Sequence, residues 1–193
     1  MKSLFLTITI VITYVFSYAQ APKHLTFKGI PIDGKLNDYV LKMKENGFKH
    51  IGTEDGTAIL NGEFAGFKYC NVVITALKQK DLVYKVGVLF PSLDTWSRLS
   101  GNYFELKQML TEKYGKPSEI EERFDGSVQP NDDNLRIMKV KYDQCKYYSI
   151  WKTDKGEIQL SIDHIDTDNC FVKLNYFDKI NGAIINSKAI DDL

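Results

Sequence analysis

The chain has 193 residues, 44% of them hydrophobic, and its 25 Lys and Arg side chains balance 25 Asp and Glu side chains. This neutral balance argues against a nucleic-acid or anionic-membrane partner, since both favour an excess of clustered positive charge. The length is sufficient for one well-buried core or for two small, tightly joined lobes.

The first nineteen residues have the pattern of a secretory signal peptide. Lys2 precedes an apolar run over residues 4–16, and the small residues Ser17 and Ala19 stand where a signal peptidase reads. The run is too short to span a bilayer comfortably, and no stop-transfer pattern follows it. We therefore predict cleavage after residues 1–19 and a soluble mature protein, residues 20–193, in the periplasm or outside the cell. It carries 24 basic and 25 acidic residues.

The first half of this mature chain begins with a short strand-like run over residues 25–32. Apolar residues at helical spacing then predict a helix over residues 36–43, which Gly47 is placed to cap at its C-terminus. The turn Glu54-Asp55-Gly56 opens a strand-rich stretch with period-two alternation, in which Lys80-Asp81 is the predicted turn between the last two strands.

The clearest helix lies in the middle of the chain. Apolar residues step by three and four, and Ser92 or Asp94 is the predicted N-cap. Gly101 lies in mid-pattern and would allow a split into two shorter helices. Gly115, followed by a proline two residues later, predicts the helix end. The apolar positions of this helix are Trp96, Leu99, Tyr103, Leu106 and Leu110.

The rest of the chain returns to strands after an irregular stretch. Residues 125–134 are typical of a polar surface loop, and residues 135–144 fit a short helix slightly better than a strand. Three alternating strands follow, separated by turns over residues 153–156 and 166–169. A C-terminal helix over residues 178–193 is predicted to pack back on the sheet.

The strand-rich stretches of the two halves align at an offset of 100 residues. A turn glycine recurs at that spacing, as Gly56 and Gly156, and a cysteine at the start of a strand recurs as Cys70 and Cys170. Recurrence of two such markers favours a duplicated unit over coincidence. The implied unit is one helix followed by an antiparallel meander whose apolar face the helix covers.

We therefore predict an α+β fold of two tandem helix-plus-meander units, over about residues 23–90 and 92–177, with helices on one face of the sheet. This layout resembles the β-lactamase-inhibitor-protein-like (BLIP-like) fold, which also occurs in small outer-membrane assembly proteins. The resemblance implies a concave sheet surface that grips another protein, and it assigns no functional residue. The junction at Ala19-Gln20 also resembles that of exported proteins of Gram-negative bacteria.

The mature chain contains three cysteines, Cys70, Cys145 and Cys170. An odd number leaves at least one thiol over. Cys145 and Cys170 lie in the same half and are placed to join neighbouring strands, so we predict a disulfide between them, with three buried thiols as the alternative. The absence of a C-x-x-C spacing disfavours a nucleophilic or metal-binding cysteine.

Motifs for a serine nucleophile, a phosphate-binding loop and a zinc protease are absent, and we predict no cofactor, no metal and no enzymatic activity. Of three histidines, His164 has the most suggestive neighbours, Asp163 and Asp166, although a strand sends Asp163 to the opposite face. The acidic stretches 125–133 and 163–168 lack the regular calcium-loop pattern and are typical of turns.

Basic and aromatic residues interleave over residues 139–152. In a neutral exported chain this pattern favours a protein or glycan surface over nucleic acid, and the alternative is a strand with one face on the core and its lysines in water. The expected anchors are Tyr147, Tyr148 and Trp151 on the wet face.

The predicted function is a non-catalytic exported module that holds a protein or peptide of the cell envelope on its sheet face. One alternative is a glycan or small-ligand binding protein that uses the aromatic cluster of residues 139–152. The other is an unrecognised hydrolase built around His164 or a free cysteine. A deep pocket that holds one of these groups beside a carboxylate would favour the hydrolase.

Overall fold

The computed structural model describes residues 24–127, 129–167 and 169–191, the last six of these by their backbone only. The predicted signal peptide and the start of the mature chain lie outside these residues. The fold is α+β, as the sequence predicts, and the described residues form four helices, a large antiparallel sheet of eight strands and a small sheet of two strands. None of the described helices is long and apolar enough to cross a membrane.

The first half of the chain contains a small hairpin, one helix and a four-stranded meander. The hairpin stands where the sequence predicts a single strand-like run, because Lys28 and Gly29 both have positive φ and reverse the chain within two residues. The elements are β1 (Thr26–Phe27), β2 (Ile30–Pro31), α1 (Leu36–Glu45), β3 (Lys49–Glu54), β4 (Thr57–Phe64), β5 (Phe67–Leu77) and β6 (Leu82–Leu89).

The second half repeats the order of a helix followed by four strands, with one further helix inserted after the first strand and another at the C-terminus. The short helix predicted over residues 135–144 is confirmed, but it starts within the predicted loop. The elements are α2 (Trp96–Tyr114), β7 (Glu119–Phe124), α3 (Asp133–Lys141), β8 (Cys145–Lys152), β9 (Gly156–His164), β10 (Cys170–Asp178) and α4 (Lys179–Asp191).

The strands of the large sheet lie in the order β3-β4-β5-β6-β10-β9-β8-β7, so the last strand of each meander meets its counterpart at the centre. The alignment at an offset of 100 residues is therefore wrong by one strand. It matches Cys70 of β5 with Cys170 of β10, whereas the strand equivalent to β10 is β6. Alternating apolar residues recur in every strand, so a shift by one strand preserves most of the apolar matches.

One face of the large sheet forms the core with α1, α2 and α3. Alternate residues of the six inner strands point to this face and are buried, whereas the edge strands β3 and β7 contribute little, and each of the three helices contributes an apolar stripe. Burying one such side chain contributes roughly 1.5–3 kcal/mol relative to leaving it in water. Large members of this core are Tyr39, Met43, Leu60, Ile74, Leu99, Tyr103, Leu106, Trp151, Ile158 and Leu160.

The start of α2 differs from the predicted one. Neither Ser92 nor Asp94 is the N-cap; Thr95 occupies that position and makes no side-chain cap bond. The first turn is capped instead by Asp133 of α3, a residue remote in sequence. The helix also continues through Gly101 without a break, so the split that this glycine would allow does not occur.

The start of α4 is fixed to the sheet by a buried carboxylate. Asp178, at the end of β10, accepts hydrogen bonds from the backbone N–H of Leu25 at 2.7 Å and of Asn181 at 2.9 Å, and its other contact is His24 Nδ1 at 3.0 Å. The side-chain amide of Asn181 donates to the backbone carbonyl of Val83 at 2.9 Å. The C-terminal helix therefore docks where the small hairpin meets β6.

Candidate functional site

The face of the large sheet that points away from α1, α2 and α3 is called the outer face here. A single row of residues crosses it from one edge strand to the other, because each residue is paired directly with the next across all eight strands. We call this row the central row. Its members, in strand order, are Gly52, Ile59, Val73, Gly87, Asn175, Gln159, Ile150 and Glu119.

The middle of the central row is flat, because the side chain of Asn175 lies in the space that a side chain on Gly87 would occupy. Gly87 has no side chain, and Oδ1 of Asn175 lies only 2.9 Å from the point where a Cβ on Gly87 would stand. The Asn175 side chain therefore lies over the glycine and is itself buried. Ile59 is the most exposed apolar residue of the row, at 42%.

The two rows beside the central row carry the charges of the outer face. One contains Glu54, Lys85, Glu157 and Lys152, and the other contains Lys49, Lys173 and Glu121. Only Glu119, at the edge strand β7, brings a charge into the central row. The outer face thus has an uncharged middle between two charged margins, which is the arrangement found at the centre and rim of protein interfaces.

Of the three predicted anchors, the structure brings only Tyr148 to the outer face. Its phenol oxygen lies 3.0 Å from a carboxylate oxygen of Glu121 and 3.0 Å from one of Glu119. These hydrogen bonds to carboxylates raise the pKa of Tyr148 to about 12. Tyr148 is therefore a neutral hydrogen-bond donor at the margin of the sheet, beside the central row.

The other two predicted anchors point into the core, so their placement on the wet face is wrong. Trp151 is fully buried, and its indole N–H donates to the backbone carbonyl of Gly115 at 2.9 Å. The ring of Tyr147 packs against Trp96 with centroids 4.8 Å apart. Successive side chains of a strand alternate between faces, so Tyr148 necessarily faces away from both. The glycan alternative loses its aromatic cluster for the same reason.

His164 stands at the end of β9 with both ring nitrogens engaged. Nε2 lies 3.0 Å from a carboxylate oxygen of Asp143, and Nδ1 lies 3.1 Å from the backbone oxygen of Asp166. Burial lowers the pKa of His164, but the hydrogen bonds to Asp143 and Asp166 outweigh it and leave the pKa above 6.5. As the strand pattern predicts, Asp163 points to the opposite face, where it forms an ion pair with Lys173. With both nitrogens engaged, His164 is not arranged as a general base.

All three cysteines are thiols in the structure, and the predicted bridge between Cys145 and Cys170 is not formed. These two residues begin β8 and β10, and β9 lies between those strands. Burial raises the pKa of the Cys145 thiol to about 12 and that of Cys70 to about 11. Because the thiolate is the reactive form, these environments do not favour nucleophilic cysteine chemistry.

The uncharged central row could not be recognised from the sequence, although part of its signal is present there. Ile59, Val73 and Ile150 are apolar residues that fall out of phase with the core positions of their own strands. Such residues are ordinary on a sheet when they occur singly. Only the register between strands shows that they lie in one line.

Among the described residues, no three His, Cys, Asp or Glu side chains come together as a metal site requires. Comparison of the chain with family models, with curated proteins and with solved structures finds no match.

Proposed function

We propose that this protein is a non-catalytic binding module that holds a protein or peptide partner on the outer face, with the central row at the middle of the interface. The observation that carries the proposal is that the central row is uncharged from Gly52 to Ile150, with a single charge at its end in Glu119, and lies between two charged margins. Charged residues are depleted at the centre of protein interfaces, because desolvating an unpaired charge is costly, and polar groups are retained at the rim.

Two further observations support a macromolecular partner. The helices α1, α2 and α3 occupy the opposite face, so they leave the central row, which crosses all eight strands, uncovered. The likeness of the sequence pattern to BLIP-like proteins, whose sheets grip another protein, agrees with this use of the face. The predicted signal peptide of residues 1–19 adds that the partner belongs to the cell envelope or to the exterior.

The test compares partner binding by a variant with a new charge in the central row and by a variant with a new charge on the solvent side of a helix. Ile59→Glu puts a carboxylate on the outer face, and Leu41→Glu puts one on the solvent side of α1, at a residue that is 55% exposed. Each purified variant is immobilised, envelope and medium extracts of the source cells are passed over it, and the retained proteins are quantified by mass spectrometry.

We expect a saturable protein partner that the natural protein and Leu41→Glu retain equally and that Ile59→Glu retains at least about tenfold less, because a central charge is desolvated without a counter-charge. Urea unfolding of both variants provides the stability control. Equal retention by Ile59→Glu, or the absence of any saturable protein partner, would overturn the proposal.

A further inference from the structure

A cavity of about 510 Å³ lies where the first turns of α4 meet the ends of β8, β9 and β10. Its size falls in the range of sites that hold small molecules. Two aromatic side chains, Tyr84 and Phe177, line it, and Ile185 of α4 adds an aliphatic wall. The cavity therefore offers a flat ligand an apolar surface.

Two residues without bulky side chains leave this space open on the α4 side, Gly182 and Ala183. A glycine within a helix is less favourable than alanine, so Gly182 weakens α4. A Cβ added at Gly182 would meet no atom within 4 Å. A larger side chain at Gly182 would therefore fit beside α4 and fill the cavity.

The charges around the cavity are mainly positive. Lys152 and Lys179 line it, and the ammonium group of Lys85 stands 5.1 Å from the centre of the Phe177 ring. Among the described residues, none of these three lysines has a carboxylate partner within 4.0 Å.

The acidic residues of the lining, Glu157 and Asp178, are fewer than the three lysines around the cavity. Glu157 keeps its negative charge, since the hydrogen bond that it accepts comes from the neutral side-chain amide of Gln159. The carboxylate of Asp178 is occupied on the core side by the N–H groups of Leu25 and Asn181. An excess of positive charge therefore remains at the mouth of an aromatic-lined space.

We propose that this cavity binds a small molecule that joins a flat, aromatic body to one anionic group. Phe177 and Tyr84 contact the body, and Lys152 and Lys179 hold the carboxylate, sulfonate or phosphate. The cavity shares Lys152 and Glu157 with the charged margin of the outer face, but it shares no residue with the central row. Its test uses small probes without the protein partner, so this inference does not depend on the proposed function.

The test uses two fluorescent probes that share an aromatic body and differ in charge. Anilinonaphthalene sulfonate carries one sulfonate, and N-phenylnaphthylamine is neutral. Each probe is titrated into the folded full chain and its dissociation constant is measured from the rise in fluorescence. We expect one saturable site that holds the sulfonate probe at least about tenfold more tightly than the neutral probe, because two lysines face its anionic group.

A matched pair of glycine substitutions locates the site. Gly182→Leu fills the cavity, whereas Gly101→Leu makes the same change in the middle of α2, where a Cβ also meets nothing within 4 Å. Both changes increase helix propensity, so neither variant is expected to lose stability. We expect Gly182→Leu to weaken binding of the sulfonate probe at least about tenfold and Gly101→Leu to leave it unchanged.

A charge variant tests the anionic part of the proposal. The double variant Lys152→Gln, Lys179→Gln is expected to bind the sulfonate probe at least about fivefold more weakly and to bind the neutral probe with unchanged affinity. The same double change at the exposed Lys44 and Lys68 provides the control. Absence of saturable binding, equal binding to the two glycine variants, or equal effects of the two lysine pairs would overturn the proposal.

Discussion

The carboxylate of Asp133 accepts a hydrogen bond of 3.0 Å from the backbone N–H of Trp96, a residue 37 positions earlier in the chain. Its second oxygen accepts from the N–H of Ser97 at 2.7 Å. Because Asp133 is the first residue of α3, one side chain satisfies the start of α2 and joins the two helices.

Replacing Asp133 by alanine should therefore lower the free energy of unfolding by about 1–2 kcal/mol, since two N–H groups lose their acceptor and the helix dipole loses a negative charge. Urea unfolding measures the change. Asp94→Ala, which removes an 83% exposed carboxylate near the same helix start, should cost less than about 0.5 kcal/mol. Equal costs for the two variants would contradict the capping role of Asp133.

Substitution of Trp151 should mainly lower stability and substitution of Tyr148 should mainly weaken partner binding, because the two side chains lie on opposite faces of β8. Trp151→Ala opens a cavity in the core and removes the bond to Gly115, so the free energy of unfolding should fall by about 3–5 kcal/mol. Tyr148→Ala should destabilise much less and should weaken retention of the partner. A Trp151→Ala protein of natural stability would contradict the buried placement.

His164 should contribute more to the free energy of unfolding at acidic pH than at basic pH. Its pKa in the folded protein lies above 6.5, so the charged form is favoured by folding. The contribution is therefore fully present below about pH 6.5, the unfolded value, and is lost as the pH rises through the folded pKa. The difference in unfolding free energy between the natural protein and His164→Gln should shrink from about pH 5.5 to about pH 8.5.

A variant of Asp143, which bonds to His164, tests the pKa of this histidine directly. Asp143→Asn removes the carboxylate that bonds to Nε2, so the pKa of His164, measured by nuclear magnetic resonance titration, should fall. A pKa of His164 below 6.5 in the natural protein would contradict the assignment.

Thiol counting should find three free cysteines. A disulfide needs Cα atoms within about 7 Å, whereas residues two strands apart in a sheet are separated by roughly 9–10 Å. Cys145 and Cys170 are separated in this way by β9. Labelling after denaturation without reductant should therefore modify all three cysteines. Labelling of a single cysteine would show instead that the bridge predicted from the sequence forms.

Local patterns were sufficient wherever a structure depends on neighbours in the chain. Apolar spacing predicted α1 and α2, and the ends of both helices lie where glycines with positive φ, Gly47 and Gly115, follow them. The turn at Asp55-Gly56 formed as predicted, because both residues adopt a positive φ, which glycine takes without steric cost. Such features follow from backbone sterics and from hydrogen bonds within one turn.

The candidate site was not predictable in this way. Alternation indicates that Tyr147 and Trp151 share one face and Tyr148 the other, but it does not say which face the helices cover. The central row joins residues from Gly52 to Asn175, so it exists only through the register of eight strands. No pattern within one strand contains that information.

By itself, the sequence determined the class of fold and the order of one helix and then a meander in each half. Tertiary structure alone decided that β6 meets β10, that Asp133 caps α2, and that the row crossing the outer face carries a charge only at Glu119. The physical reason is the distance along the chain over which each kind of interaction acts. Propensity and periodicity act over a few residues, whereas strand register and remote caps are set by how the buried faces fit together.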